Sequence, residues 1–437
     1  MTENVVIALG SLGAMFILIY LGMHVAIVLG GVSLIGVWLI RGDFVIASNL
    51  LAQAASDAIA SHVFGIVPLF VLMGFLVAVA DVGRDAFEVA HQLFRRIRGG
   101  LGIATVAANA VFAAITGISI ASVAVFTRVA VPEMLRFNYT PRFAVGVVAG
   151  SSVLGMLIPP SLLMIVYGFL SGESIGAMFI AGIVPGVLLA LIYAAGILAM
   201  AHFWPSFVGG KFDAGDTPLM DIGTMVLKLV PSVALILLCL GGIYAGFFTP
   251  TEGGAVGAAG ALVIALLRRK LGWGGLWKVL LETGHVTVAV SFLIICANIF
   301  SRMLAMSGTP QLLIQTINEA GLGEYSFLFI YILIVVTLGT IIDSISIMLI
   351  CLPLVLPIAE GFGMNLIWFG IVTIVAVEIG LLTPPFGLSV YVVKSTLNDP
   401  RVSLGDIFAG SAPFVGMMMI ALALLVVFPQ LSLWLLR

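Results

Sequence analysis

The sequence predicts an all-α polytopic membrane protein made of two inverted-topology repeats, each with five spans, one re-entrant hairpin and one broken helix. Three observations predict this class: the composition, two pairs of adjacent prolines and an internal repeat. Of the 437 residues, 62% are hydrophobic and 9% are charged, whereas a soluble domain carries about 25% charged residues. Many apolar runs also reach the roughly 18 residues that a spanning helix needs.

The paired prolines lie inside apolar runs that are long enough to be membrane helices. Pro159-Pro160 lies within residues 143–170, and Pro384-Pro385 lies within residues 366–393. A proline in a helix interior removes a backbone donor and costs about 3 kcal/mol. At bilayer depth such a break is tolerated only inside protein or beside a wet cavity. We therefore expect two broken helices next to an internal site.

The internal repeat has a constant offset of 225 residues. The matched pairs are Gly83/Gly308, Phe75/Phe300, Ser119/Ser344, Pro132/Pro357, Gly155/Gly380 and the two proline pairs. Chance would not readily place prolines, glycines and a serine in one register. We assign residues 1–205 to the first repeat, 206–225 to a polar loop and 226–437 to the second repeat.

The first repeat begins with an apolar run at 5–40 that is too long for one span, so we divide it at 22–24. The stretch 43–62 reads as an interfacial arm, 63–80 as a span and 84–98 as a basic surface helix. The apolar run at about 103–131 is interrupted at Thr116-Gly117, which leaves two halves too short to cross. We predict a re-entrant hairpin there, followed by the broken helix and a span at 175–203.

The second repeat follows the same order. We predict spans at 227–248 and 253–267, an arm at 273–282, a span at 286–305 and a surface helix at 310–319. A second hairpin at about 327–358 is interrupted at 343–346. The broken helix and a span at 407–436 complete the chain.

The distribution of basic residues on the two sides of the membrane tests this topology. Five crossings per repeat put the second repeat in the opposite orientation. Fifteen basic residues then fall on one side and three on the other, which makes the first side cytoplasmic and places both termini outside. The fifteen are Arg84, Arg95, Arg96, Arg98, Arg128, Arg136, Arg142, Lys211, Lys228, Arg268, Arg269, Lys270, Lys278, Lys394 and Arg401, and the three are Arg41, Arg302 and Arg437.

Polar residues cluster at the two hairpin tips and the two helix breaks. Half-helix ends attract ions, and hydroxyl and carbonyl oxygens are hard ligands that suit sodium. We predict one sodium site near Thr116, Gly117, Ser119, Ser122 and Gly155, and another near Asp343, Ser344, Ser346, Glu378 and Gly380. The predicted substrate contacts are Ser152, Pro159, Pro160, Ser161, Thr383, Pro384 and Pro385. The alternative is that these hydroxyls only bond to the backbone or pack helices.

Each charged residue within the predicted membrane segments has two alternative roles. Asp343 holds a cation or proton, or it caps a half-helix, and Glu378 contacts a cation-linked network or pairs with a base. Arg128 and Arg302 face an anionic substrate, or each extends to an interface or pairs with an acid. Glu252 reads as a helix cap.

Enzyme signatures are absent from the sequence: it has no Gly-rich phosphate loop followed by lysine and no HExxH. The three cysteines are isolated, so they predict neither a disulfide framework nor a metal cluster. Nothing indicates nucleic-acid binding.

Five motifs resemble the large membrane subunit of tripartite ATP-independent periplasmic (TRAP) transporters, of the DctM and SiaM type. They are Ile158-Pro-Pro-Ser161, Thr249-Pro-Thr-Glu252, Leu338-Gly-Thr-Ile-Ile-Asp343, Leu352-Pro-Leu-Val-Leu-Pro357 and Glu378-Ile-Gly-Leu-Leu-Thr-Pro-Pro385. The resemblance implies the ion-transporter superfamily fold in a bacterial inner membrane, and the charge count then predicts both termini in the periplasm. It also implies sodium-coupled uptake of an organic acid by an elevator movement.

The resemblance further implies two partners, a small four-helix membrane subunit and a periplasmic substrate-binding protein. It leaves the substrate open among C4-dicarboxylates, sialic acid and keto acids. Two alternatives stay open: a self-sufficient sodium/dicarboxylate symporter of the same superfamily, and a membrane assembly subunit that transports nothing.

Overall fold

The computed structural model describes residues 3–60, 62–210 and 219–436, and their regular structure is helical. The helices of the first half are α1 (Glu3–Tyr20), α2 (Val25–Arg41), α3 (Phe44–Ala60), α4 (Ile66–Val79), α5 (Val82–Phe94), α6 (Gly100–Thr116), α7 (Ser119–Arg136), α8 (Pro141–Ser152), α9 (Leu154–Leu157), α10 (Leu162–Ser171), α11 (Ile175–Phe203) and α12 (Pro205–Val208). The predicted loop at 206–225 lies partly outside the described residues, as do Lys211 and Arg437 of the charge count.

The second half follows a similar order. Its helices are α13 (Ile222–Ile236), α14 (Gly242–Tyr244), α15 (Pro250–Leu267), α16 (Trp273–Ser307), α17 (Thr309–Glu319), α18 (Glu324–Gly339), α19 (Ser344–Gly361), α20 (Leu366–Leu382), α21 (Leu388–Leu397), α22 (Leu404–Val427) and α23 (Gln430–Leu433). A π-helical segment, Leu237–Gly241, joins α13 to α14.

The apolar helices confirm a membrane protein with several spans. Among the described residues, seven helices are long and apolar enough to cross a bilayer, or up to nine if each of two bent pairs is one span. One bent pair is Pro141–Leu157 with Leu162–Ser171, at 41°. The ten predicted crossings stay a prediction, because α2 and α20 have 17 residues each and fall just short of this length criterion.

The long first run divides where the sequence predicted. Helix α1 ends at Tyr20, and α2 begins at Val25. Gly22 between them has a φ of 89°, which costs glycine little and other residues more.

The second arm differs from the prediction. Arm and span were expected to be separate at 273–282 and 286–305, but α16 runs unbroken through 35 residues. In the first half a short 3-10 turn, His62–Gly65, separates α3 from α4. Pro68 stands at the third position of α4 and lacks the backbone donor of a continuous helix, whereas α16 contains no proline.

Contacts between the two halves hold the bundle together. Asp85 of α5 pairs with Arg268 at the end of α15 and with Lys228 of α13. Helices α8 and α22 meet through glycine, since a Cβ on Gly146 would lie 2.1 Å from the Gly410 carbonyl oxygen. Any side chain at that crossing would force the helices apart.

Candidate functional site

The tip of the first hairpin is a two-residue turn between α6 and α7. Gly117 ends α6 with a φ of 64°, and its N–H donates to the Ala113 carbonyl. The Thr116 hydroxyl donates to the Phe112 carbonyl at 3.0 Å. Ser119 begins α7 and is 2% exposed. The predicted interruption at 116–119 is therefore present.

The first break lies directly against this tip. The Leu162 N–H, just after the two prolines, donates to the Gly117 carbonyl at 3.1 Å. A Cβ on Gly155 would lie 3.2 Å from the Ser119 backbone, and one on Gly117 would lie 2.3 Å from the Pro160 carbonyl oxygen. Glycine at 117 and 155 thus allows the hairpin and the broken helix to touch through their backbones.

The tip of the second hairpin is built around a carboxylate. Asp343 caps α19: its Oδ1 accepts from the Ser346 N–H at 3.1 Å, and its Oδ2 accepts from the Ser346 hydroxyl at 2.5 Å. The cap function suggested for Asp343 is therefore present. Both carboxylate oxygens point to the start of the half-helix, where the backbone donors are otherwise unsatisfied.

The second break lies against the second hairpin. The Phe386 N–H donates to the Thr340 carbonyl at 3.3 Å. The Ser344 hydroxyl donates to Glu378 Oε1 at 3.2 Å. Each hairpin therefore contacts the broken helix of its own half, and both breaks contain a cis Pro-Pro bond.

The two tips face a shared cavity of about 290 Å³. Ser119 comes from one tip, and Asp343 and Ser344 come from the other. The remaining lining is mainly apolar and consists of Phe75, Ile118, Ile120, Ala121, Ala124, Met156, Leu162, Val286, Ile345, Leu381, Leu388 and Ser389. A small cavity with few converging polar groups is typical of a small-molecule site.

None of the predicted substrate contacts is among the described residues that line this cavity. The Ser152 hydroxyl donates to Ala149, and that of Ser161 donates to Met156. Thr383 likewise bonds to the Ile379 carbonyl. The first proline pair is buried, whereas Pro384 and Pro385 are exposed. The roles assigned to these residues stay predictions.

Of the ten predicted sodium ligands, three line the cavity and seven do not. Ser119, Asp343 and Ser344 line it; Thr116, Gly117, Ser122, Gly155, Ser346, Glu378 and Gly380 do not. Two of the latter carry buried oxygens without a hydrogen-bond partner in the described structure, Ser122 Oγ and Glu378 Oε2. Both residues are 0% exposed. Such atoms are rare in proteins, where buried polar groups are normally hydrogen-bonded.

Sequence reasoning missed two residues of this region. Asn109 Nδ2 donates to the Ser151 hydroxyl at 2.6 Å, and its buried Oδ1 has no partner in the described structure. The Tyr193 hydroxyl is also buried without a partner there. Asn109 carries the one side-chain amide of α6, and that was the available signal.

The other charged residues singled out in the sequence have different contacts. Arg302 Nη2 pairs with Asp57 Oδ2 at 2.6 Å, so the acid-pairing alternative holds. Glu252 forms a capping box with Thr249 at the start of α15, which confirms its predicted role. Arg128 is exposed and lines a different cavity, next to α5.

Comparison with known proteins assigns the chain to a family. The family described as "Tripartite ATP-independent periplasmic transporter, DctM component" matches residues 12–431. The chain belongs to this family. The DctM component is a membrane permease, so the broken helices and hairpin tips belong to a transporter subunit.

Relatives of this permease with different cargoes are similar along most of the chain. The C4-dicarboxylate TRAP transporter large permease protein DctM of Pseudomonas aeruginosa is 35% identical over 369 residues, covering 84% of each chain. The sialic acid TRAP transporter large permease protein SiaM of Vibrio cholerae is 30% identical, covering 88% of each.

A solved structure supports the fold of the permease. MtrF of Neisseria gonorrhoeae, described as an antimetabolite efflux pump, matches with a TM-score of 0.63 over 91% of this chain and 85% of its own. The sequences are 12% identical, so the likeness concerns the fold alone.

Proposed function

We propose that this permease is the translocation subunit of a sodium-coupled TRAP transporter that imports an organic acid by an elevator movement. The observation that carries the proposal is the cavity between the hairpin tips, where Ser119 meets Asp343 and Ser344. Its volume of about 290 Å³ suits a small solute.

The coupling ion is sodium in this proposal. The first site offers neutral oxygens, including the unpartnered Ser122 Oγ. The second site adds two carboxylates. Asp343 bonds to Ser346 within the hairpin tip, and Glu378 of α20 bonds to Ser344 of the same tip. These hard oxygen donors favour an alkali cation over a transition metal, and a bound cation would supply Glu378 Oε2 with the partner it lacks.

The elevator movement would carry hairpins and broken helices past a static scaffold. The cavity has walls of both kinds: Phe75 of α4 and Val286 of α16 belong to the proposed scaffold, and the hairpin tips belong to the mobile part. The links between the parts begin at residues with positive φ, Asp81 at 59° before α5 and Gly308 at 76° before α17.

Membership of the family supports a proposal for the partners and the location. A tripartite transporter needs two further components, and we propose a small four-helix membrane subunit and a periplasmic substrate-binding protein. The basic side would face the cytoplasm of a bacterial cell, with the permease in the inner membrane and both termini in the periplasm. The relatives indicate an organic acid such as a C4-dicarboxylate or sialic acid.

The decisive experiment is uptake into proteoliposomes that contain all three components. Labelled succinate and N-acetylneuraminate serve as the first probes, with and without an inward sodium gradient. We expect uptake to require sodium, and Ser119→Ala and Ser344→Ala to raise the sodium concentration for half-maximal uptake several-fold. Ser411→Ala is the matched control, because this buried hydroxyl bonds only to the Phe408 carbonyl of its own helix.

Three results would contradict the proposal in different ways. Uptake that ignores the sodium gradient, with both serine variants unchanged, removes the sodium sites. Uptake by this chain without a binding protein favours a self-sufficient symporter. Uptake of none of the organic acids screened against the complete complex favours an assembly subunit.

The elevator movement has its own test. Val286→Cys and Ile345→Cys face one cavity from the scaffold and from the second hairpin. Joining them with a bifunctional methanethiosulfonate should stop uptake, and a reductant should restore it. The three native cysteines are buried, so background labelling should be low. Unchanged uptake in the fully cross-linked protein would refute a movement between these parts.

A further inference from the structure

Helix α7 connects the cavity at the hairpin tips to a second cavity on the basic side. Ile120 and Ala124 line the first cavity, whereas Arg128 and Pro132 line the second. These four residues recur at every fourth position and so lie on one face of the helix. Arg128 stands about 6 Å further along the helix axis than Ala124 and about 13 Å beyond Ser119.

The second cavity has a volume of about 440 Å³ and lies between α5 and α7. Its polar lining consists of Arg84, Glu88, His91, Arg128, Glu133 and Arg136. It is therefore larger and much more polar than the cavity at the hairpin tips. Its charges belong to the basic side of the threading, on which a transported solute would leave.

The carboxylates of this cavity already have cationic partners. Glu88 Oε1 accepts from Arg84 Nε at 3.0 Å, and its Oε2 pairs with Lys228. Glu133 pairs with Arg136 at 3.4 Å. Arg128 is exposed and makes no ion pair or hydrogen bond with any described residue. It is thus the uncompensated charge on the lining face of α7.

We infer that Arg128 is an exit site that receives a carboxylate of the transported acid on the cytoplasmic side. The guanidinium is permanently charged and can hold a carboxylate through two parallel hydrogen bonds. A solute that leaves the hairpin tips along the Ile120–Ala124 face meets this group next. This inference rests on the proposed function and adds a second, lower-affinity station for the same cargo.

The test measures inhibition of uptake by acid already inside the liposome. Complete transporter complexes are loaded internally with unlabelled succinate or N-acetylneuraminate, whichever the wild type carries, and uptake of the labelled acid is recorded. Arg128→Ala should need about tenfold more internal acid for half-inhibition, because a charge-assisted contact is lost. The external concentration for half-maximal uptake should change less than twofold.

Charge restoration separates this effect from misfolding. Arg128→Cys, labelled with an aminoethyl methanethiosulfonate before reconstitution, should regain most of the internal affinity, whereas a sulfonatoethyl label should not restore it. Arg136→Cys is the matched control, since Arg136 lies in the same cavity but is paired with Glu133. It should leave the internal half-inhibition within twofold under either label.

Distinct outcomes would overturn the inference. Sodium-dependent uptake with an unchanged internal half-inhibition in Arg128→Ala refutes the exit site alone. So does an effect seen in liposomes with phosphatidylglycerol but not in pure phosphatidylcholine, which would assign Arg128 to a lipid phosphate. Equal effects of both labels on Arg128→Cys refute a role for positive charge. No uptake by the wild type refutes the proposed function as well.

Discussion

Replacing Gly380 with alanine should separate two helices that now touch through their backbones. Gly380 of α20 and Gly339 of α18 face each other without side chains between them. A Cβ on Gly380 would lie 2.6 Å from the Gly339 Cα and 2.7 Å from the Val336 carbonyl oxygen. Ordinary contacts of a Cβ begin near 3.4 Å, so the helices must move apart by nearly 1 Å.

Two opposing effects determine how much Gly380→Ala changes the free energy of unfolding. Overpacking a well-filled contact costs about 1–3 kcal/mol. Alanine in place of glycine in a helix interior gains up to about 1 kcal/mol. Gly416→Ala isolates the gain, because Gly416 lies within α22 and its added Cβ would meet nothing within 4 Å. We therefore expect Gly380→Ala to be less stable than Gly416→Ala by about 1–3 kcal/mol.

The assay is unfolding of the purified full chain in mixed micelles by titration with dodecyl sulfate. The free energies of unfolding of both variants are compared with that of the wild type. Uptake by Gly380→Ala should also fall, since α20 carries Glu378, which bonds to Ser344 of the hairpin. If Gly380→Ala unfolds no more easily than Gly416→Ala, the close contact between α18 and α20 is wrong.

Three further predictions concern stability. Asn109→Leu should lower the free energy of unfolding in the same titration by about 1–3 kcal/mol, because the 2.6 Å hydrogen bond to Ser151 is lost inside the bundle. A loss below about 0.5 kcal/mol, which is the scatter of neutral substitutions, would refute that bond. Thr249→Ala should cost about 0.5–2 kcal/mol by removing the capping box, while Thr249→Ser should retain most of the stability; equal losses in the two variants would contradict the cap. Arg401 donates to Asp399 and lowers the pKa of that carboxyl to about 2, so the contribution of this pair to the melting temperature should persist above about pH 4 and disappear as the pH falls towards 2. A melting difference between wild type and Asp399→Asn that grows on acidification would have the wrong sign.

The helix breaks were predictable because their causes are local. Two adjacent prolines remove two backbone donors and kink or break a helix interior, and the helices break at 158–161 and 383–387 accordingly. Gly117 and Asp343 also marked the hairpin tips, since one residue favours a helix end and the other a helix start. These features depend on the chain within one turn.

The packing between distant segments was not predictable in the same way. The bond from Asn109 to Ser151 joins residues 42 positions apart, and an isolated amide in α6 does not name its partner. The two breaks are similar in sequence, yet the first is buried and the second is exposed. That difference depends on which helices cover each break, which no local pattern records.

The prediction of a separate arm and span in the second half was wrong for a related reason. The prediction transferred a boundary from the first half, where Pro68 weakens the start of α4. Residue 293 at the matching position is leucine, which favours an intact helix.

The unbroken α16 distinguishes the second half from the first. At 1.5 Å per residue, its 35 residues form a strut about 52 Å long, which exceeds the thickness of the hydrocarbon core. The corresponding part of the first half has a joint at His62–Gly65. A continuous helix fixes the relation between its two ends, whereas the angle between α3 and α4 is set by their packing on the rest of the bundle. The two halves are built from similar elements, yet one has a single long helix where the other has two shorter helices.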